Sequence, residues 1–267
     1  MSVHVEILGS GSAPNLVLIH GWGMSSAVFS PLIKPLSKIF TLHLVDLPGM
    51  GASRPIEPYH LHALADAVAE NIPGKANVLG WSLGGLVAQR IAISQPDHIR
   101  RMVLVGSTPC FVNSSTWQHG VNPAAFEDFS RKVNENYQAT ILQFLTLQCM
   151  GASDARSTVR QLRTALAKKP GPTQATLQRA LQVLLDSDLR DEVAHIRKPT
   201  LLIHGDRDTL APLQAAHWMS QQLPAGFLRV IAGASHAPFL SHQAQFIEAL
   251  TQFLEPEQAS ISRINSH

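Results

Sequence analysis

The chain has almost no cysteine. Its two residues of that type, Cys110 and Cys149, are too few for a disulfide framework, and their separation excludes a Cys-x-x-Cys metal or redox pair. Both read as buried or incidental thiols. Charge is also sparse: Asp, Glu, Lys and Arg make up 15% of the residues and leave a formal net charge of +2, which gives no global pull toward nucleic acid. Any electrostatic argument therefore has to be local. No apolar run approaches the roughly 20 residues of a membrane span. The opening "MSVHVEILGSGSAPN" has neither the basic region nor the apolar stretch of a signal peptide, so a cytoplasmic chain without membrane contact is expected. Internal repeats, low-complexity tracts, a glycine-rich nucleotide fingerprint and a His-x-x-x-His pair are lacking too, and no cofactor or metal is expected.

What is present is a globular balance, with 45% hydrophobic residues in a length that suits one large α/β domain or a domain with an insertion. Val3, Val5 and Ile7 alternate with polar residues as in a half-exposed strand. Leu16 to Ile19, Leu42 to Val45, Val78-Leu79 and Met102 to Val105 are short, nearly continuous apolar runs of the kind that parallel strands covered on both faces require. Helical patterns lie between them around Leu61 to Asn71 and Leu83 to Gln95. From Phe111 to about Arg190 only helical segments are legible, such as "YQATILQFLTLQCM" and "ATLQRALQVLLDSDL", with a breaker at "KKPGPTQA". The β-α alternation resumes at "PTLLIHG", continues through a helix near Ala215 to Leu223 and the strand "FLRVIAG", and closes with a helix from about Gln243 to Phe253. The expected fold class is α/β, a doubly wound, mostly parallel sheet formed by residues 1–110 and 191–267. Residues 111–190 form a helical lid inserted over the carboxyl ends of the strands.

Chemistry concentrates at those strand ends. In "VLGWSLGGLVAQRIA", Ser82 falls between a strand and a helix with Gly80 and Gly84 at minus and plus two, the Gly-x-Ser-x-Gly pattern of a nucleophile elbow. A serine hydroxyl is a weak nucleophile at neutral pH and needs a base, which in turn needs a carboxylate to hold its tautomer. "GASHAPFLSH" supplies His236 after the last strand, and "LLIHGDRDTLAP" supplies Asp206 and Asp208 at the edge of another. The remaining histidines, among them His20, His43, His204, His217 and His242, fit strand ends, the sheet or helix surfaces. The oxyanion formed on attack needs two N–H donors. The amide of Leu83 follows the nucleophile, and the glycine-flanked turn His20-Gly21-Trp22-Gly23 brings the amide of Trp22 over the same place. Trp22 and Trp81 are expected to wall the pocket with apolar surface.

As a set these residues resemble the α/β-hydrolase superfamily over essentially the full chain. Within it, "HGWGMSSAVF", "FTLHLVDLPGMGASR", "LGWSLGGLVA", "FLTLQCMG" and "ASHAPFLSH" look like the pimeloyl-[acyl-carrier protein] methyl ester esterases of biotin synthesis. The resemblance implies a Ser82, Asp208, His236 triad, with Asp208 chosen because that family carries its acid as the last Asp of this loop; Asp206 then organises the loop through backbone N–H groups. It also implies substrate-binding positions at Trp22, Ser82, Leu83, His236 and the segment Phe144, Leu145, Thr146, Leu147 and Gln148. The implied reaction is removal of a methyl group from a pimeloyl chain carried on acyl carrier protein, by a monomer. Arg156, Arg160 and Arg163 lie at helical i, i+4, i+7 spacing with Lys168 and Lys169 after them and only Asp154 opposing, a cationic face suited to an acidic carrier protein. Fold and triad alone also fit hydrolysis of another small ester or of a carbon–carbon bond, and a non-catalytic ligand receptor can be built on the same fold.

Overall fold

The computed structural model describes residues 3–148 and 155–254. The chain runs β1 (His4–Leu8), β2 (Asn15–Ile19), α1 (Ser30–Leu36), β3 (Thr41–Asp46), α2 (Leu61–Ala69), β4 (Ala76–Trp81), α3 (Leu83–Ser94) and β5 (Ile99–Val105). Four helices follow, α4 (Pro123–Glu135), α5 (Tyr137–Gln148), α6 (Ala155–Leu166) and α7 (Gln174–Asp186). The alternation then returns with β6 (Thr200–Gly205), α8 (Leu213–Gln222), β7 (Gly226–Ile231), α9 (Pro238–Ser241) and α10 (Gln243–Leu254).

The strands form one seven-stranded sheet in the order β1-β3-β2-β4-β5-β6-β7. Only β1 is antiparallel, along β3. Every residue of β3, β4 and β6 is buried, which is why their sequences are apolar runs without alternation. The edge strands β1 and β7 do alternate, and they leave Ile7 and Phe227 exposed.

Strand order fixes where a site can form. The chain lays β3 on one side of β2 and then crosses back to lay β4 on the other, so the connections leaving β2 and β4 run in opposite directions. A crevice opens at the carboxyl ends of strands where this happens. The segment after β2 and the start of α3 both lie there. The helices α4 to α7 come from the connection between β5 and β6, two adjacent central strands. Helix-capping chemistry sets where two of these helices begin. Asn122 accepts a hydrogen bond from the amide of Ala124 at the start of α4, and the Thr173 hydroxyl accepts one from Thr176 at the start of α7, directly after the Pro-Gly-Pro turn.

Candidate active site

Ser82 joins β4 to α3 with φ +56° and ψ −118°, a region that side-chain-bearing residues rarely adopt. The surroundings hold it there. Its amide donates to the Val105 carbonyl at 3.0 Å, and its carbonyl accepts from the Ser107 hydroxyl at 2.9 Å. A turn this tight leaves no room for side chains beside it: a Cβ on Gly80 would stand 2.4 Å from the Gly84 carbonyl oxygen, and one on Gly84 would stand 2.2 Å from that of Ile19. The two flanking glycines are thus required by contact with neighbouring backbone.

Asp208 and His236 meet across a buried hydrogen bond of 2.8 Å from Oδ2 to Nδ1. The other oxygen of Asp208 accepts from the amides of Leu210 and Ala211 at 2.8 and 2.9 Å. Burial by itself would raise this carboxyl, but the His236 ring and these hydrogen bonds together hold it below the ordinary carboxylate value. An ionised carboxylate can only accept, so Nδ1 of His236 donates this bond and Nε2 is the ring nitrogen left to act as a base. Trp81 steadies the loop from behind, its indole N–H donating to the His236 carbonyl at 2.9 Å. Asp206 is placed differently. Its carboxylate accepts from the Gly233 amide at 2.7 Å, a backbone N–H of the loop after β7, and so ties the two loops together.

Ser82 and His236 open on one cavity of about 510 Å³. Its walls are mainly apolar, with Trp22 and Trp81 from the core, Phe126 and Phe129 from α4, Phe144 from α5, and Leu181 and Leu184 from α7. The Phe144 and Trp81 rings lie 6.3 and 5.7 Å from the His236 ring, centroid to centroid. Leu83 is the first residue of α3, where the helix offers its amide no carbonyl four residues back. Among the described residues neither this amide nor that of Trp22 has a protein acceptor.

Some expectations need correction. The segment from Phe144 to Gln148 does not face the cavity as a unit. Phe144 lines it, Leu145 is turned into a groove on the opposite side of α5, and Thr146 is exposed with its hydroxyl donating to the Leu142 carbonyl at 2.7 Å. Five consecutive helical residues span more than a full turn and cannot share one face. The side chains of Leu147 and Gln148 lie outside the described residues, as do Cys149 and Asp154. On α6, Arg156, Arg160 and Arg163 are exposed and make no ion pair among the described residues. Lys169 does not belong with them, because its ammonium is turned inward to Asp46 at 3.0 Å and Ser26 at 2.6 Å.

The sequence reading also missed residues. Gly106 has φ +49°, and a Cβ there would crowd the His236 carbonyl oxygen at 2.7 Å and Asp208 Oδ2 at 3.1 Å. Nothing local marks it. Phe126 with Phe129 and Leu181 with Leu184 are spaced three apart, which does signal a helix face, yet spacing cannot say whether that face meets a solid core or a cavity.

The α/β-hydrolase fold family model matches residues 14–243. The pimeloyl-[acyl-carrier protein] methyl ester esterase of Nitrosomonas europaea is 42% identical over 92% of this chain and 97% of its own length. The enzyme of that name from Aeromonas salmonicida is 42% identical over 95% of this chain and all of its own. Among solved structures, an esterase from Exiguobacterium antarcticum superposes with a TM-score of 0.83 at 22% identity, covering 94% of each chain. An enol-lactonase from Burkholderia xenovorans superposes with a TM-score of 0.80 at 22% identity, covering 94% of this chain and 96% of its own. At that identity the structures speak for the fold alone, and their differing names illustrate that this fold carries several reactions.

Proposed function

The chain belongs to the pimeloyl-[acyl-carrier protein] methyl ester esterases of the α/β-hydrolase fold, and from that membership we propose that it hydrolyses methyl pimeloyl-acyl-carrier protein to methanol and pimeloyl-acyl-carrier protein. It is a carboxylic ester hydrolase. The observation that supports this reading best is the buried Asp208–His236 pair opening, with Ser82 on its strained turn, onto one mainly apolar cavity.

In the reaction, Ser82 Oγ attacks the ester carbonyl carbon while His236 Nε2 takes the hydroxyl proton and Nδ1–H stays bonded to Asp208. The negative charge that develops on the carbonyl oxygen is met by the amides of Trp22 and Leu83. Collapse breaks the bond to the methoxy oxygen, which leaves as methanol with the proton from His236. A water molecule, deprotonated by His236, then attacks the acyl-serine; collapse of the second intermediate restores the Ser82 hydroxyl and frees the carboxylate. The aliphatic chain lies along the phenylalanine and leucine walls. Arg156, Arg160 and Arg163 take the acidic carrier protein, so that the chain works as a cytoplasmic monomer with its partner docked on α6.

The test is to present methyl pimeloyl-acyl-carrier protein and the free methyl ester side by side and weigh the products. A loss of one methylene on the carrier-bound substrate, with the thioester intact and with higher kcat/KM than for the free ester, is the expected result. Cleavage of the thioester, or no preference for the carrier-bound form, counts against the assignment.

A further inference from the structure

The turn that carries Trp22 is held from two sides. From the core, His20 Nδ1 donates to the Gly21 carbonyl at 2.8 Å and Nε2 accepts from the Leu47 amide at 3.0 Å. At the far end of the turn, the Ser26 amide donates to Asp46 at 2.8 Å, and the same carboxylate accepts from the Ala52 amide at 2.9 Å. To the helical block run four more bonds. The Tyr137 hydroxyl at the start of α5 donates to the Gly23 carbonyl at 2.7 Å, the Trp22 indole donates to the Leu177 carbonyl of α7 at 3.0 Å, and Lys169 donates to both Ser26 and Asp46. The turn in turn touches the nucleophile: a Cβ built on Gly21 would stand 3.1 Å from the Ser82 Cβ. Burial pushes the Tyr137 hydroxyl up to about 12, so it remains a donor throughout the neutral range.

We infer that Tyr137 and Lys169 are positioning residues for oxyanion stabilisation, fixing the turn of residues 20–26 from the helical block so that the Trp22 amide is aimed only when the block is seated. This rests on the reading of Trp22 as an oxyanion donor. The physical basis is a lever. Gly23 and Ser26 flank the Trp22 amide by one and four residues, and both are bonded to groups more than a hundred residues away on a different layer. A donor must lie within a few tenths of an ångström of the oxyanion to act, and a misplacement of about 1 Å can cost on the order of a hundredfold in rate. Neither Tyr137 nor Lys169 lines the catalytic cavity, so neither touches the substrate chain.

The experiment uses Tyr137→Phe, which keeps the ring and removes the bond to Gly23, and Lys169→Met alone and with Asp46→Asn. The double variant removes both charges of the buried pair, so that loss of fold is separated from loss of aim. Each protein is assayed on a small soluble methyl ester and titrated with an alkyl trifluoromethyl ketone and the matching methyl ketone. The first adds Ser82 Oγ to its carbonyl and places an oxyanion in the hole; the second binds as a neutral ground-state ligand. Tyr137→Phe and the double variant are expected to lose roughly tenfold in kcat at unchanged KM, with an equal loss in preference for the trifluoromethyl ketone and no change in methyl ketone affinity. Wild-type kcat and preference in both variants, recovery of both in the double variant alongside its melting temperature, or equal weakening of both ketones overturns the inference. Absence of a trifluoromethyl preference in the unmodified protein would instead sink the Ser82 and oxyanion reading on which it rests.

Discussion

At Ser82 a single hydroxyl stands on backbone that resists its side chain's own preferences, and the hydrogen bonds to Val105 and Ser107 and the close packing around it keep it there. Ser82→Ala removes the nucleophile without touching that packing, so the fold should survive while ester turnover falls by a factor on the order of 10⁴ or more. Circular dichroism and a steady-state assay check both halves, and a serine-directed phosphonate should label the unmodified protein at Ser82 and nowhere else. The two aspartates of the following loop differ in what they hold. Asp208 bonds to a ring that must carry charge in the transition state, whereas Asp206 bonds to the Gly233 amide. Asp208→Asn should therefore cost about 10⁴ in kcat by favouring the wrong tautomer of His236. Asp206→Asn should cost less than roughly tenfold, since an amide oxygen can still accept from an N–H. A reversed ranking would exchange their roles.

At the scale of the element, β6 carries a feature that bears on stability. His204 is fully buried on it, neither ring nitrogen has a hydrogen-bond partner among the described residues, and burial lowers its pKa to about 4, opposed only by the nearby Asp208 carboxylate. The folded value lies below the unfolded one of about 6.5, so the native state binds fewer protons in between. Stability present at pH 7 and above should decline as the pH falls through 6.5 and should be fully lost to this group below 4. Between pH 7.5 and 5.0 this one ring accounts for about 2 kcal/mol. Urea denaturation of His204→Leu against the parent chain should show the acid sensitivity of that window reduced by about this amount. Asp46 and Asp208 are held below the usual carboxylate range and titrate outside the window, and His20 and His43, also lowered by burial, remain in both proteins. An unchanged difference between the two pH values would place the acid sensitivity elsewhere.

For the whole molecule, charge matters in one place. The chain is close to neutral with a net +2, yet α6 presents Arg156, Arg160 and Arg163 to solvent along one side. Reversing all three to Glu should raise KM for the carrier-protein substrate at least about tenfold while leaving kcat on a small ester unchanged, because exposed charges remote from the triad act on encounter. The effect should fade as salt shortens the Debye length from about 10 Å at 0.1 M to about 3 Å at 1 M. Equal losses on both substrates would indicate damage to the helix or the cavity, and no loss would leave α6 an ordinary solvated face.

Local chemistry in the sequence was enough to locate the strands at Leu16, Leu42, Val78 and Met102, the elbow at Ser82, and the candidate acid and base at the ends of β6 and β7, because burial on both faces and tight turns each demand particular residue types nearby in the chain. The helix α1 (Ser30–Leu36) left no mark that was picked out, and α4 was read only as part of the helical block. Other features came only from folding. Which of Phe144 to Thr146 turns toward the cavity depends on the rotation of α5 against the sheet, and the close approach of Gly106 to His236 joins residues from different strands. Lys169, grouped by sequence with the exposed arginines, is drawn inward by Asp46, a carboxylate more than a hundred positions away. Local propensity operates over a few residues, but a buried ion pair or a cavity wall is decided by which distant segments the sheet order brings within a few ångströms of one another.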